Sequence, residues 1–260
     1  MVLQAMKRSL LTFAALLLSA ALLLPAALKS TEATSADLTG TWAQVVVHRS
    51  LSAIPVVGDV ASETTTRLLV TLSQQGDEVR ASAKVCGMRI EGSKLVRTSI
   101  PPALLRAMPE QRWQSKVSAT EGRLALAPWA RWDVLGARLQ EPSRDALPTE
   151  ANDARVFDQD GDGKPGVTVA VRGMIDGEIF VTQKGWSELR PDRVTADSIS
   201  GSVRWRQTQT ILGASSRFLS SGPETRPDPK PEANWFSARR VEAGASCAEV
   251  SALPASFFRR

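Results

Sequence analysis

Apolar and polar residues alternate along most of this chain. Val79, Ala81, Ala83 and Val85 take every second position, with Arg80, Ser82, Lys84 and Cys86 between them, the spacing of a half-buried strand whose side chains point to opposite faces in turn. Upstream, Leu68, Val70 and Leu72 carry the same period through residues 67–74, and Gln75-Gly76-Asp77 supplies a turn, so the two segments read as a hairpin. A second hairpin is predicted from Val167, Val169 and Val171, alternating with Thr168, Ala170 and Arg172, through the turn dipeptide Asp176-Gly177 to residues 178–183. Glycine there adopts positive φ at little steric cost. A third joins residues 114–119 to 123–127 across Glu121-Gly122. Further strands are expected over 198–212 and 235–241. Helical character is confined to 102–108, opened by Pro102 and stopped before Pro109, because proline is harmless at the first helical position and breaks the interior. Residues 139–153 and 221–234 carry the prolines and acids of surface loops.

Short strands joined by tight turns predict one all-β domain. A single antiparallel β-barrel is favoured, with a β-sandwich as the alternative, since closure removes exposed sheet edges. On the first strand Trp42, Gln44, Val46 and His48 share a face, opposite Ala43, Val45, Val47 and Arg49. In the late strand Val203, Trp205, Gln207, Gln209 and Ile211 are likewise grouped. Apolar walls with a few polar groups characterise small-molecule cavities. Trp42, Gln44, His48, Trp205, Gln207 and Gln209 are therefore the candidate contacts for a small, mainly apolar ligand, with plain core packing as the competing explanation. The apolar segment 51–60 is expected to be a loop, either a lip at the mouth or a plug.

Ahead of this domain, Lys7 and Arg8 precede an apolar run over 10–24 that closes at Pro25, followed by small residues that allow cleavage after Ala33 or Ala36. These are the three parts of a secretory signal, so residues 1–36 are expected to form a signal helix and 37–260 the folded domain. The run is shorter than the ~20 residues of a spanning helix, so no stable membrane span is expected after cleavage. The protein is expected to be exported, to a periplasmic or extracellular setting. Thiols are not kept reduced there, and Cys86 and Cys247 are expected to pair.

Composition narrows the chemistry further. The 32 Lys+Arg and 27 Asp+Glu leave a net charge of only +5, without the concentrated basic face of a nucleic-acid binder. One histidine and two cysteines are too few for His-rich or four-cysteine metal centres. The chain has no Gly-x-Ser-x-Gly nucleophile elbow. No catalytic residue is assigned, and a carboxylate pair of the glycosidase kind is the one catalytic reading left open. Zero tyrosine removes much of the aromatic girdle of an outer-membrane barrel.

The sharpest chemical motif is Asp158-Gln159-Asp160-Gly161-Asp162-Gly163. Carboxylates at alternate positions in a glycine-bent loop aim several oxygens at one hard cation, and calcium is the natural guest. The segment resembles the calcium loops of EF-hands, dockerins and thrombospondin type 3 repeats. That resemblance implies side-chain ligands Asp158, Asp160 and Asp162 and a backbone carbonyl at Lys164. Where an EF-hand has a bidentate Glu, this chain has Val169, so further oxygens are sought from Asp153, Asp176 or water. The ion would be structural, pinning a loop that leads into the Val167 hairpin.

A second resemblance lies in Gly40-Thr41-Trp42, which is similar to the Gly-x-Trp signature opening the first strand of lipocalins and related calycin barrels. It implies that the tryptophan plugs one end of a barrel, that Arg239 or Arg240 packs across it, and that a disulfide such as Cys86 to Cys247 ties the C-terminal segment to a barrel strand. The long C-terminal helix of lipocalins is not evident in the sequence. The functional expectation is an exported, calcium-stabilised β-barrel that binds a small, mainly apolar molecule. The alternative is a non-catalytic structural or interaction module of the bacterial cell envelope.

Overall fold

A computed structural model describes residues 37–54, 58–92, 96–173 and 175–259. The expected signal segment, 1–36, lies outside the described residues, as do positions 55–57 of the apolar segment 51–60. In chain order the elements are β1 (Gly40–Ile54), β2 (Gly58–Gln75), β3 (Glu78–Glu91), β4 (Val96–Ser99), α1 (Pro102–Ala107), β5 (Gln111–Thr120), β6 (Arg123–Leu126), β7 (Trp129–Leu135), β8 (Val167–Gly173), β9 (Gly177–Val194), β10 (Ser198–Ala214), β11 (Thr225–Pro227), β12 (Trp235–Val241) and α2 (Cys247–Ala252). The chain is all-β, as the alternation predicts.

The strands form a hydrogen-bonded ring. Its order is β1, β2, β3, β5, β6, β9, β10, β12 and back to β1, antiparallel at each step. β9 is the long strand that makes the ring possible. One of its edges pairs with β10 along most of its length, and the other takes β8, β7 and finally β6 in succession, the last through a single pair, Leu124 with Val194. β4 extends the sheet beyond β8, and β11 adds to β1.

The predicted hairpins are present, with one correction. Gln75 pairs with Glu78 across Gly76, and Thr120 with Arg123 across Glu121-Gly122. In the β8–β9 hairpin the positive φ falls on Gly173, at 137°, and not on Gly177. The Asp176 carboxylate accepts a hydrogen bond from the Gly173 N–H at 2.9 Å. Gly177 instead begins β9, where a Cβ would meet Leu219 and Ser215 at 2.7 Å. Residues 51–54 and 58–60 form strand pairs, such as Ser52 with Val60, and not the expected loop. Within 221–234, β11 pairs with Ser50 to Ser52 of β1.

Inside the ring lies the main core, including Trp42, Leu68, Val70, Trp129, Leu189 and Phe236. The opposite face of β1 is also buried: Ala43, Val45 and Val47 pack beneath Val250 of α2 and Phe258 of the C-terminal turn. Burial of side chains of this size stabilises by about 1.5–3 kcal/mol each, which holds a short tail against the sheet. Arg67 reinforces it by donating to the Ser251 and Leu253 carbonyls at 2.5 and 2.6 Å. Cys86 and Cys247 sit at disulfide-bonding distance, their Cα atoms 4.9 Å apart, so the tail is tied to β3 as expected.

Candidate functional site

The ring interior has two ends of different chemistry. At one, Trp42 is fully buried and donates from Nε1 to the Leu38 carbonyl at 3.1 Å. The Arg240 guanidinium lies 4.7 Å from its ring centroid and donates to the carbonyls of Asp37, Thr39 and Ala196 at 2.6–3.0 Å. A planar cation stacked on an indole with its N–H groups bonded around the rim closes that end. Of the two arginines considered from sequence, Arg240 occupies this position. Arg239 points to the other face and donates to the Arg259 carbonyl at 2.7 Å.

At the other end the cross-strand register aligns Arg131, Ser187 and Trp205 on β7, β9 and β10. The Trp205 ring meets His48 edge to face at 5.4 Å. Its Nε1 donates to Asn234 Oδ1 at 2.7 Å, an oxygen that also accepts from the Arg49 N–H at 2.8 Å. Beneath this layer Trp113 and Trp129 stack at 4.1 Å. Gln111 precedes Trp113 by two residues on β5, and Arg131 follows Trp129 by two on β7. Because those strands run in opposite directions, both are placed one step above the stack.

Two polar atoms in this layer, His48 Nε2 and Gln111 Oε1, are buried and have no hydrogen-bond partner among the described residues. An orphaned buried polar atom costs about 1–3 kcal/mol, so two in one layer call for an explanation. Burial, and then the nearby Arg131 charge, push the His48 pKa down to about 4, leaving the imidazole neutral at pH 7. Arg131 is half-buried and paired with the more exposed Asp133 at 3.1 Å.

No protein-family model matches this chain, and none of the curated proteins compared with it is significantly similar.

Of the six ligand contacts expected from sequence, His48 and Trp205 lie together at the second end. Trp42 belongs to the plug, and Gln44 is buried between the two ends. Gln207 and Gln209 are exposed, because β10 continues beyond Ser202, where its pairing with β12 stops. The sequence alone does not single out Gln111, Arg131 and Ser187. Gln111 and Arg131 each lie two residues from an inward tryptophan, Trp113 on β5 and Trp129 on β7, a signal that emerges only once the register is known.

The acidic loop is a separate feature. Carboxylate oxygens of Asp158, Asp160 and Asp162 lie within 4.8 Å of one another. Asp158 accepts from the N–H groups of Gly161, Asp162 and Gly163 at 2.7–3.2 Å, and these bonds, that of Gly163 foremost, hold its pKa down. Asp162 accepts from the Lys164 N–H at 2.8 Å and the Thr168 hydroxyl at 2.5 Å. Asp160 is 9% exposed. Its Oδ2 accepts from the Thr168 N–H at 2.9 Å, while Oδ1 is buried with no partner. Desolvation raises its pKa.

Two glycines fix this loop to the sheet. A Cβ on Gly166, at φ 83°, would lie 2.3 Å from the Val181 carbonyl, and one on Gly136, at φ 71°, 2.7 Å from the Gly166 Cα. The additional oxygens considered from sequence are committed elsewhere. Asp153 forms a bidentate pair with Arg155 at 2.7–3.0 Å, whose hydrogen bonds lower its pKa to about 2. Asp176 caps the β8–β9 turn. Lys164 donates its N–H into the cluster and places its Nζ 5.5 Å from the Phe180 ring centroid.

Proposed function

We propose that this chain is an exported β-barrel that binds a small, mainly apolar ligand at the Trp205 end of its interior. The observation that carries this reading is the pair of orphaned polar atoms, His48 Nε2 and Gln111 Oε1, set among indole rings inside the ring of strands. Buried polar atoms of native proteins are almost always paired, and a mixed wall of aromatic surface and a few polar groups is what a small-molecule site offers. The opposite end, plugged by Trp42 under Arg240, supports a barrel open at one end over a sandwich. Export is supported by the basic, apolar and small-residue succession over 1–36 and by the cysteine pair.

Native mass spectrometry of the protein purified from its own source tests the reading. Reproducible extra mass from an organic molecule is expected. Protein that carries calcium alone would instead support a structural module of the cell envelope.

Calcium is the second part of the proposal. The supporting observation is Asp160 Oδ1, a carboxylate oxygen that is buried, unpartnered and grouped with Asp158 and Asp162. Close like charges in a low-dielectric loop repel one another, and a divalent cation removes that repulsion while giving Oδ1 a partner. The set of three carboxylates is short of the six to eight oxygens calcium takes, so an affinity on the order of 0.1–1 mM is expected. A rise in melting temperature with millimolar calcium, reversed by a chelator, is the expected result. An unchanged melting temperature would remove the ion from the account.

A further inference from the structure

The charge balance of the Trp205 end limits what can occupy it. Arg131 already has a carboxylate partner, Asp133, at 3.1 Å, and the His48 imidazole beside it is uncharged at neutral pH. The layer is therefore electrically neutral as it stands. A ligand carboxylate or ammonium would enter as a buried charge without a counter-ion of its own, and desolvation of such a charge commonly exceeds what a guanidinium already shared with another carboxylate can return.

The unmet demand is for hydrogen bonds. Gln111 Oε1 can only accept, whereas the same carboxamide turned over can only donate. His48 Nε2 does either, according to tautomer, and Arg131 has N–H groups beyond the one facing Asp133. One uncharged group that both gives and takes a hydrogen bond meets these requirements in either orientation of the Gln111 amide. An amide or a hydroxyl is such a group.

Apolar surface surrounds this layer. Trp113 and Trp205 are both partly buried and pack against the main core, and the Trp113–Trp129 stack forms the floor. We infer that the ligand is an uncharged molecule with an amide or hydroxyl head, which hydrogen-bonds Gln111 and His48, and an apolar, preferably aromatic, body packed against Trp113 and Trp205. This inference rests on the binding reading proposed above and adds the chemical class of the ligand to it.

A competition assay on the whole disulfide-bonded chain separates the two ideas. The uncharged dye N-phenyl-1-naphthylamine reports occupancy of the interior. Three competitors of similar shape are compared at neutral pH: 2-phenylacetamide, phenylacetate and isobutylbenzene. The amide is expected to displace the dye at about tenfold lower concentration than either of the others, the worth of one good buried hydrogen bond. In the Gln111→Leu variant, with each competitor scored against that variant's own dye affinity, the amide's advantage over the hydrocarbon is expected to vanish. If that variant does not fold, the wild-type comparison alone decides.

Displacement by phenylacetate as strong as that by the amide overturns the head-group inference and leaves the binding reading standing. So does failure of the three competitors to differ, or an amide advantage that survives in folded Gln111→Leu. A wild-type chain that takes up no dye removes the binding reading itself, and the head-group inference with it.

Discussion

The two ends of the interior are built from the same kinds of residue and differ in how their polar atoms are satisfied. At the Trp42 end the indole N–H has a carbonyl, and the Arg240 guanidinium spans three carbonyl groups while covering the ring. At the Trp205 end the indole N–H is also bonded, but an imidazole nitrogen and an amide oxygen are left without partners. Buried aromatic surface by itself does not distinguish the two ends, because both have it. The distinction lies in the orphaned polar atoms of the second end, and the proposed binding reading rests on them.

The largest effect expected is at the plug. Trp42→Ala removes a fully buried indole and the surface on which Arg240 stacks, and should cost about 3–5 kcal/mol of unfolding free energy. Trp205→Ala should cost about 2 kcal/mol, since that ring is only partly buried. Urea unfolding of both variants measures the contrast. Equal losses would mean that the two ends contribute alike to stability.

Between about pH 6.5 and 4 acid should act on the Trp205 end before the Trp42 end, where the nearby carboxylate Asp37 has a pKa held below its ordinary value by hydrogen bonds from Thr39. The folded-state pKa of His48 lies below its ordinary value, about 4 against 6.5, because burial and then Arg131 oppose protonation. The unfolded chain therefore takes up the proton first. The contribution of neutral His48 is complete above about pH 6.5, declines as the pH falls toward 4, and changes no further below it. Over that interval the loss is on the order of 3 kcal/mol. His48→Phe, with no group to titrate, should flatten this part of the stability profile. The measurement is unfolding free energy against pH for both proteins, and parallel profiles would show that His48 is not the group responsible.

Polar-to-apolar exchange should have opposite signs at the two ends. Gln111→Leu removes an unpaired acceptor and should stabilise the ligand-free protein by about 1–2 kcal/mol. Val70→Thr, a change of similar volume within the packed core, introduces a hydroxyl without a partner and should destabilise by a comparable amount. Chemical denaturation of the two variants gives the signs directly. A destabilised Gln111→Leu would mean that its amide is already satisfied, for instance by buried water.

Much of this arrangement is legible in the sequence, and the parts that are not share a physical cause. Period-two alternation located β2, β3, β5 and β10, because each has one apolar face against a polar one. It failed at β7, where Arg131 and Asp133 occupy inward positions after Trp129, so that the alternation is broken by the residues that form the polar layer. It also groups Gln207 and Gln209 with Trp205, since strand period carries no information on where the neighbouring strand ends. The Asp158 to Asp162 spacing brought three carboxylates together as expected. Asp153 was lost from that set because Arg155, two residues along, is a nearer partner than a distant loop.

The smallest effect carries the comparison to the acidic loop, where Asp160 Oδ1 is a further buried and unpartnered atom. Without calcium, Asp160→Asn replaces a desolvated negative charge by a neutral amide of the same shape, and keeps an oxygen able to accept from the Thr168 N–H. The variant should then be as stable as the parent or more stable by up to about 1 kcal/mol. With calcium at about 2 mM the parent gains about 1 kcal/mol from mass action at an affinity near the middle of the expected range. The variant, lacking one anionic ligand, gains little. The order of the two melting temperatures should therefore reverse between chelator and calcium, a result that simple loss of packing does not produce. If Asp160→Asn lies below the parent by the same margin in both buffers, the Asp160 carboxylate is serving the fold and not an ion.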